Sequence, residues 1–268
     1  MTQEALNLGR PALLDILRAQ KNVLAALILR DIKTRFGSAP GFLIAIAWPL
    51  SHIFILLGIN VALGRLVPFG ESAVLWFSVS MTPFMIVSYT SRFMVIGLVL
   101  NRPLLAFPII SVFDILLSRV LIEMIVASCV VGCLGATMVC LDVEFMPTDV
   151  SMAVAALGGS LLLGVGLGIL NAIIAMMIPQ WVTIYSLSNI LFWMTSGAYF
   201  IPSALDAQTR ALLYFHPFVH CTEWLREAYY SDYHSSLLDR PFLVGCGLFA
   251  ISTGLLIERL MRGRVLIA

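Results

Sequence analysis

Residues 41–64, GFLIAIAWPLSHIFILLGINVALG, contain no Asp, Glu, Lys or Arg. A helix of about 20 apolar residues matches the hydrocarbon thickness of a bilayer, and it satisfies its own backbone N–H and C=O groups there. The pattern recurs, and six spans are expected at about 41–64, 72–92, 113–140, 151–177, 182–201 and 241–258. Only 12% of the 268 residues are charged, against about 25% for a soluble domain. The expected fold is an all-α integral membrane protein: six transmembrane helices, an amphipathic interface helix within residues 1–40, and short re-entrant helices in a loop at 202–240. The N-terminal MTQEALNLGR has no apolar core behind it, unlike a cleaved signal peptide. Cys129, Cys133, Cys140, Cys221 and Cys246 form no CxxC, and four of them lie in apolar runs where a thiol packs as a small hydrophobe.

Basic residues set the orientation. Twelve of the sixteen fall on one side: Arg10, Arg18, Lys21, Arg30, Lys33 and Arg35; Arg92, Arg102 and Arg119; and Arg259, Arg262 and Arg264 in the tail at 259–268. Arg65, Arg210, Arg226 and Arg240 face the other side, among nine of the acids. Both termini are therefore expected in the cytoplasm.

Four charges crowd into RDIKTRFG at 30–37, just before the first span. On a helix Leu24, Ile28, Ile32 and Phe36 form an apolar seam with Leu27 beside it, while Arg30 and Lys33 project away. Asp31 and Arg35 lie near the seam, spaced for an i, i+4 ion pair with the acid first. Two readings stand: an interfacial anchor on anionic headgroups, or a surface on which a cytoplasmic partner docks.

Neither Lys follows a Gly, so the chain has no phosphate-cradling Walker loop. Any ATP that drives it is hydrolysed elsewhere. NRPLLAFPIISVFD at 101–114 holds two prolines on the cytoplasmic side; Pro103 suits a first helical turn, and Pro108 stops or kinks the helix. It is either a membrane-hugging loop or a short apolar element made for a partner's groove. Arg119 and Glu123 can neutralise each other at i, i+4, a structural pair rather than a proton relay. Ser160, Gly164, Gly168 and Ala172 form a small-residue stripe for close helix packing.

The loop at 202–240 is rich in aromatics, with Tyr214, Phe215, Phe218, Trp224, Tyr229, Tyr230 and Tyr233 around His216, His220, Glu223 and Arg226. Two short amphipathic helices dipping into the outer leaflet fit it best. His216 and His220 have metal-ligand spacing, but Pro217 intervenes and no third ligand is obvious, so no metal site is expected. Phe192, Trp193, Ser196, Tyr199 and Phe200 at the end of the fifth span suit either core packing or a sugar-lined conduit.

LRDIKTRFGSAPGFLIAIAWPLSHI, NRPLLAFPIISVFDILLSRVLIE and HPFVHCTEWLREAYYSDYH, in this order, resemble the inner-membrane permeases of bacterial capsular polysaccharide exporters, the type-2 ABC permeases. The resemblance implies a homodimer paired with two ATP-binding cassette subunits, which would carry the ATP and Mg; this chain would bind no cofactor itself. It implies that Arg30, Asp31, Lys33 and Arg35 on the interface helix, and Arg102, Pro103, Leu104, Leu105, Phe107 and Pro108 on a coupling element, meet the ATPase. It places the re-entrant helices in the periplasm and implies that the first and fifth spans line a conduit for a lipid-linked glycan. Trp48, Phe192, Trp193, Tyr199, Phe200, Trp224 and Tyr229 are the candidates to touch it. A periplasmic adaptor and an outer-membrane polysaccharide channel would receive the chain. An O-antigen or teichoic-acid-type exporter of the same family is the nearest alternative. A gradient-driven transporter would centre on Glu123, and an intramembrane enzyme on His216, His220 and Glu223.

Overall fold

The computed structural model describes residues 13–37, 39–64 and 67–267, with side chains described at 18–34, 41–60, 62–64 and 67–260. All regular structure among them is helical: α1 (Leu13–Phe36), α2 (Ala39–Ala62), α3 (Ala73–Leu100), α4 (Val112–Cys140), α5 (Val150–Met177), α6 (Trp181–Thr195), α7 (Ala207–Leu213), α8 (Pro217–Tyr229) and α9 (Arg240–Ile267). Single 3-10 turns lie at Arg102–Ala106 and Pro202–Ala204.

Local chemistry sets the ends. Ser72 caps α3 by accepting from the Leu75 N–H. Ser111 and Asp114 cap α4 reciprocally, so two of the orphan N–H groups of a helix start are satisfied at once. Asp149 caps α5, and Asp239 accepts from the Phe242 N–H at the start of α9.

Among the described residues five helices, α2, α3, α4, α5 and α9, are long and apolar enough to cross a membrane. The sixth expected span, 182–201, is a 15-residue helix, about 22 Å long against a hydrocarbon core of about 30 Å. It stops because Ser196 and Gly197 turn the chain, Gly197 taking φ +81°, a conformation open to glycine at no steric cost. Tyr185 pairs with Ser91 and Asn189 with Ser88, so α6 runs antiparallel to α3.

α3 and α5 form the buried centre, while α2, α4 and α9 keep most of their surface outside. The stripe on α5 finds its partner in α3. A Cβ on Gly164 would sit 3.1 Å from the Val87 Cα, and one on Gly168 2.7 Å from the Met94 sulfur, while Ser160 and Ala172 are fully buried. A second close approach, which hydropathy did not disclose, joins α5 to α9: a Cβ on Gly166 would meet the Gly247 carbonyl oxygen at 2.5 Å. Along both seams residue numbers rise together, so α3, α5 and α9 run parallel.

Candidate functional site

At the end of the bundle carrying α1, the inward residues of that helix are Val23, Leu27 and Asp31, with Ile28 of the expected seam packed against Ile46 and Ile122; Ile32 is exposed, and the Phe36 side chain lies outside the described residues. Leu27 enters the cluster formed by Leu98, Val112, Ile115 and Ile173. Asp31 is 2% exposed, and its Oδ2 stands 3.1 Å from Nε of Arg119 on α4. The structure thus gives Arg119 a carboxylate from another helix. Asn101, at the C-terminus of α3, ties the group together. Its Nδ2 donates to the Gly97 carbonyl at 2.9 Å and to Asp31 Oδ1 at 3.4 Å, and its Oδ1 accepts from Arg30 Nη1 at 2.6 Å. Gln20 donates to Asp114, the residue that caps α4. Gly97 makes room for this arrangement, since a Cβ there would lie 2.3 Å from Arg119 Nε. Two points of attachment therefore fix α1 across the ends of α3 and α4.

The 3-10 turn follows directly from Asn101. Pro103 opens it, as expected, and it ends at Phe107 before Pro108. Leu104 and Leu105 pack downward against the same cluster as Leu27. Leu100, Phe107 and Ile109 are 68%, 58% and 66% exposed, with Pro103 and Pro108 exposed beside them and Arg102 half-buried. The result is an apolar knob on a rigid base. Lys33 is exposed, Asp31 is turned inward, and the Arg35 side chain lies outside the described residues.

Between α2, α3 and α6 lies a cleft of ≈ 240 Å³ lined by His52, Tyr89, Arg92, Asn189 and Trp193 among others. Trp193 sits 6.3 Å from the His52 ring and meets Tyr199 edge-on at 5.1 Å. Trp48, 64% exposed, precedes His52 by one turn on the same face of α2. The other conduit candidates lie elsewhere. Phe192 stacks on Phe218, Phe200 packs against Leu213, Val219 and Leu237, and Trp224 lies against Gly159 of α5. Tyr229 lines a separate groove with Phe145 and Leu225. Glu123 is buried and borders a small cavity with Pro49 on the far side of Tyr89. Sequence reasoning missed Tyr89, Arg92 and Asn189; the signal available was a lone Arg beside a Tyr at the end of an uncharged span.

At the opposite end, α8 is no surface helix: every residue from Phe218 to Arg226 is buried, held against α3, α5 and α9. Arg226 is fully buried. Its Nε donates to Ser80 Oγ (2.9 Å), Nη1 to Glu223 Oε1 (2.8 Å) and the Phe200 carbonyl (3.1 Å), and Nη2 to the Gly197 carbonyl (2.7 Å). Its guanidinium also lies 4.2 Å from the centre of the Trp76 ring. Glu223 accepts from the Tyr233 hydroxyl at 2.9 Å. His220 is equally committed: Nε2 donates to the Tyr214 carbonyl (2.7 Å), and Nδ1 accepts from the Asp239 N–H (3.0 Å). With both ring nitrogens on backbone, His220 holds the loop in place.

Burial pushes the His220 and His216 imidazoles below their ordinary value of 6.5, so the folded loop keeps them neutral. The unfolded chain therefore takes up those protons at a higher pH than the folded chain does. Stability is then complete above about pH 6.5 and falls below it, by at most about 1.4 kcal/mol per pH unit for each imidazole. The melting temperature of detergent-purified protein should drop between pH 7.5 and 5.5, a window in which carboxylates of ordinary or depressed pKa do not titrate. A flat profile would contradict this reading of the histidines.

The ABC-2 type transporter family model matches residues 9–230. The chain is 26% identical to the polysialic acid transport protein KpsM of Escherichia coli over 90% of its own length and 93% of the relative's. It is 27% identical to the capsule polysaccharide export inner-membrane protein BexB of Haemophilus influenzae, covering 91% and 92%. To CtrC of Neisseria meningitidis serogroup A, also a capsule polysaccharide export inner-membrane protein, it is 24% identical over 96% and 97%. With five bilayer-length helices among the described residues and a family match over residues 9–230, the chain belongs to the ABC-2 type transporter family.

Proposed function

We propose that this chain is the permease subunit of an ATP-driven exporter of lipid-linked capsular polysaccharide in a bacterial inner membrane. The observation that carries the reading is the end-to-end likeness to polysialic acid and capsule export proteins, which leaves no large part of either chain unmatched. Two copies of the chain work with two copies of a separate ATP-binding subunit, which holds ATP and Mg. Both termini face the cytoplasm, in keeping with the Lys and Arg distribution, and α6 with residues 196–201 completes a sixth crossing. The loop carrying α7 and α8 then faces the periplasm, where an adaptor and an outer-membrane channel take over the glycan.

The knob at 102–109 sits in a groove of the ATPase. ATP binding favours one arrangement of the pair, and the base formed by Asn101, Asp31 and Arg119 passes that preference to α1, α3 and α4 together. The cleft with Trp193 and His52 at its wall belongs to the glycan path.

The test is gentle purification of the tagged protein from its native membrane, with identification of co-purifying chains and an ATPase assay. A stoichiometric P-loop ATPase supports the reading; a lone oligomer without nucleotidase overturns it and redirects attention to a gradient-driven carrier centred on Glu123. Within the reading, Phe107→Asp combined with Arg102→Glu should leave the protein inserted and folded, because Phe107 is exposed and Arg102 only half-buried at the turn. Export should fall at least about five-fold, the lower end of ordinary allosteric coupling. Normal surface glycan in that variant would remove the knob from the coupling path.

A further inference from the structure

At the end of the bundle opposite α1, the start of α9 shares an open pocket of ≈ 430 Å³ with Tyr214, at the end of α7, and Glu227 of α8. Its charged lining is Glu227, Asp239 and Arg240. The membrane-crossing stretch of α9 begins at Arg240 itself, so the pocket lies at the depth of lipid head groups. We propose that it seats the head of a zwitterionic phospholipid with a primary ammonium, of the phosphatidylethanolamine kind. Arg240 takes the phosphate, and Glu227 and Asp239 take the ammonium. The site is separate from the glycan path, and it rests on the exporter reading only for its leaflet, the periplasmic one.

Arg240 and Glu227 already pair at the pocket, Nη2 to Oε2 at 3.0 Å. Nη2 also donates to the Met152 sulfur at 3.5 Å, and the guanidinium lies 5.6 Å from the centre of the Trp224 ring. The cation is thus held in place while its side chain stays 46% exposed. The hydrogen bonds it makes among the described residues use Nη2 alone. The N–H groups on Nε and Nη1 are left for a phosphate.

Each carboxylate oxygen, by contrast, has one donor that orients it. Glu227 Oε1 accepts from the Ser235 N–H (2.9 Å) and Oε2 from Arg240. Asp239 Oδ1 accepts from the Phe242 N–H (2.9 Å) and Oδ2 from the Tyr214 hydroxyl (2.6 Å). A carboxylate oxygen has a second lone pair, so each can take an ammonium N–H without giving up its present bond. The Tyr214 hydroxyl and the Phe242 N–H also hold the Asp239 carboxyl below its ordinary value, and it stays charged.

A cation beside two anions mirrors a phosphate joined to an ammonium. Other head groups fit worse. A choline head has no N–H to offer and is recognised by aromatic cages. Tyr214 is the one aromatic residue of this lining, and its ring is stacked on Phe242 at 5.6 Å. A glycerol head brings no cation to offset the net negative charge of the three side chains, and it is repelled.

The surface toward the bilayer centre suits the tail of such a lipid. Pro241, Gly245 and Phe249 follow one another on one face of α9, with Phe249 and Leu248 both exposed. A Cβ on Gly245 would meet nothing within 4 Å. The strip is apolar and shallow at Gly245, and an acyl chain descending from a head at Arg240 lies along it.

The experiment is equilibrium binding by native mass spectrometry on the full-length detergent-purified permease. The probes are dioleoyl phosphatidylethanolamine, phosphatidylcholine and phosphatidylglycerol. The first should bind at least about ten-fold more tightly than the others, the worth of one charged hydrogen bond. Arg240→Gln should weaken all three lipids, since each carries the phosphate. Glu227→Gln should weaken phosphatidylethanolamine alone, by about ten- to a hundred-fold. Its amide oxygen can still accept from the Ser235 N–H, so this second variant keeps the loop folded if Arg240→Gln does not. The melting temperature of the parent should rise with added phosphatidylethanolamine and not with phosphatidylcholine, because a ligand of the folded state stabilises it.

Equal binding of the three lipids, or an undiminished preference in monodisperse Glu227→Gln protein, would overturn the site. Competition at equal concentration by glycerophosphoethanolamine, the same head without tails, would overturn the assignment to a bilayer lipid. A lipid preference in a protein without any ATPase partner would refute the exporter and leave the site standing. ATP-driven export by a protein indifferent to the three lipids would refute this inference alone.

Discussion

Arg226→Ala is expected to leave little monodisperse protein after detergent extraction, with a melting temperature well below that of the parent. The substitution removes the partner of a fully enclosed Glu223, along with donors to the Gly197 and Phe200 carbonyls and to Ser80. Breaking a buried ion pair by removing one member costs about 3–5 kcal/mol, and each stranded buried acceptor adds to that. The loss is a large fraction of a typical folding free energy. Replacing both members, Arg226→Met with Glu223→Gln, should recover part of it, because no unpaired charge is then left behind. Fluorescence-detected gel filtration and a thermal melt of the three proteins decide the matter. A single variant as stable as the parent would mean that the guanidinium is not what fastens α8 and the 197–200 turn to α3.

Gly97→Ala has the second largest expected effect, and it falls on transport rather than on folding. A methyl group at that position would lie 2.3 Å from Arg119 Nε and 2.8 Å from its Cδ. Arg119 must therefore swing away and lose Asp31, which leaves a carboxylate 2% exposed with only the 3.4 Å contact from Asn101. The bundle itself rests on α3–α5 and α5–α9 contacts and should survive. α1 should loosen from α3 and α4, visible as faster hydrogen exchange in residues 23–34, while ATPase activity continues and export drops at least about five-fold. Asp31→Asn with Arg119→Gln should behave more mildly, and the non-additivity of Gly97→Ala with Asp31→Asn measures whether both act through one contact. Full export in Gly97→Ala would show that this junction does not transmit motion.

Much of the architecture was legible because hydropathy responds to the bilayer, which selects strongly for length and apolarity. The five long helices, the turn opened by Pro103 and the close-packing stripe from Ser160 to Ala172 all follow from spacing and residue type. Hydropathy could not see the end of α6, since SGAYFI after Thr195 remains apolar and only the backbone of Gly197 interrupts the helix. Nor could it see that Arg226 is an interior residue. In isolation its helix reads as amphipathic, and its partners lie on α3 and in the 197–200 turn, far off in sequence. The burial of Asp31 was hidden for the same reason: its partner Arg119 belongs to another helix, while the Arg35 side chain, its i, i+4 neighbour, lies outside the described residues. Of the conduit candidates, Trp193 does face the cleft, and Trp48 lies one turn from His52. Phe200 and Trp224 pack in the interior, because aromatic residue type does not distinguish a wall from a core.

The joint between α5 and α9 has a mechanical consequence. Gly166 and Gly247 bring two backbones together with no side chain between them, and Gly254 meets the Leu170 backbone 3.0 Å from where its own Cβ would be. Side chains let packed helices creep by changing rotamer, and bare backbone has none to change. Where Gly166 meets the Gly247 carbonyl, the seam has no rotamer through which to creep. Sliding α9 past α5 would have to break that contact, so a stroke that leaves it intact would carry the two helices as one body.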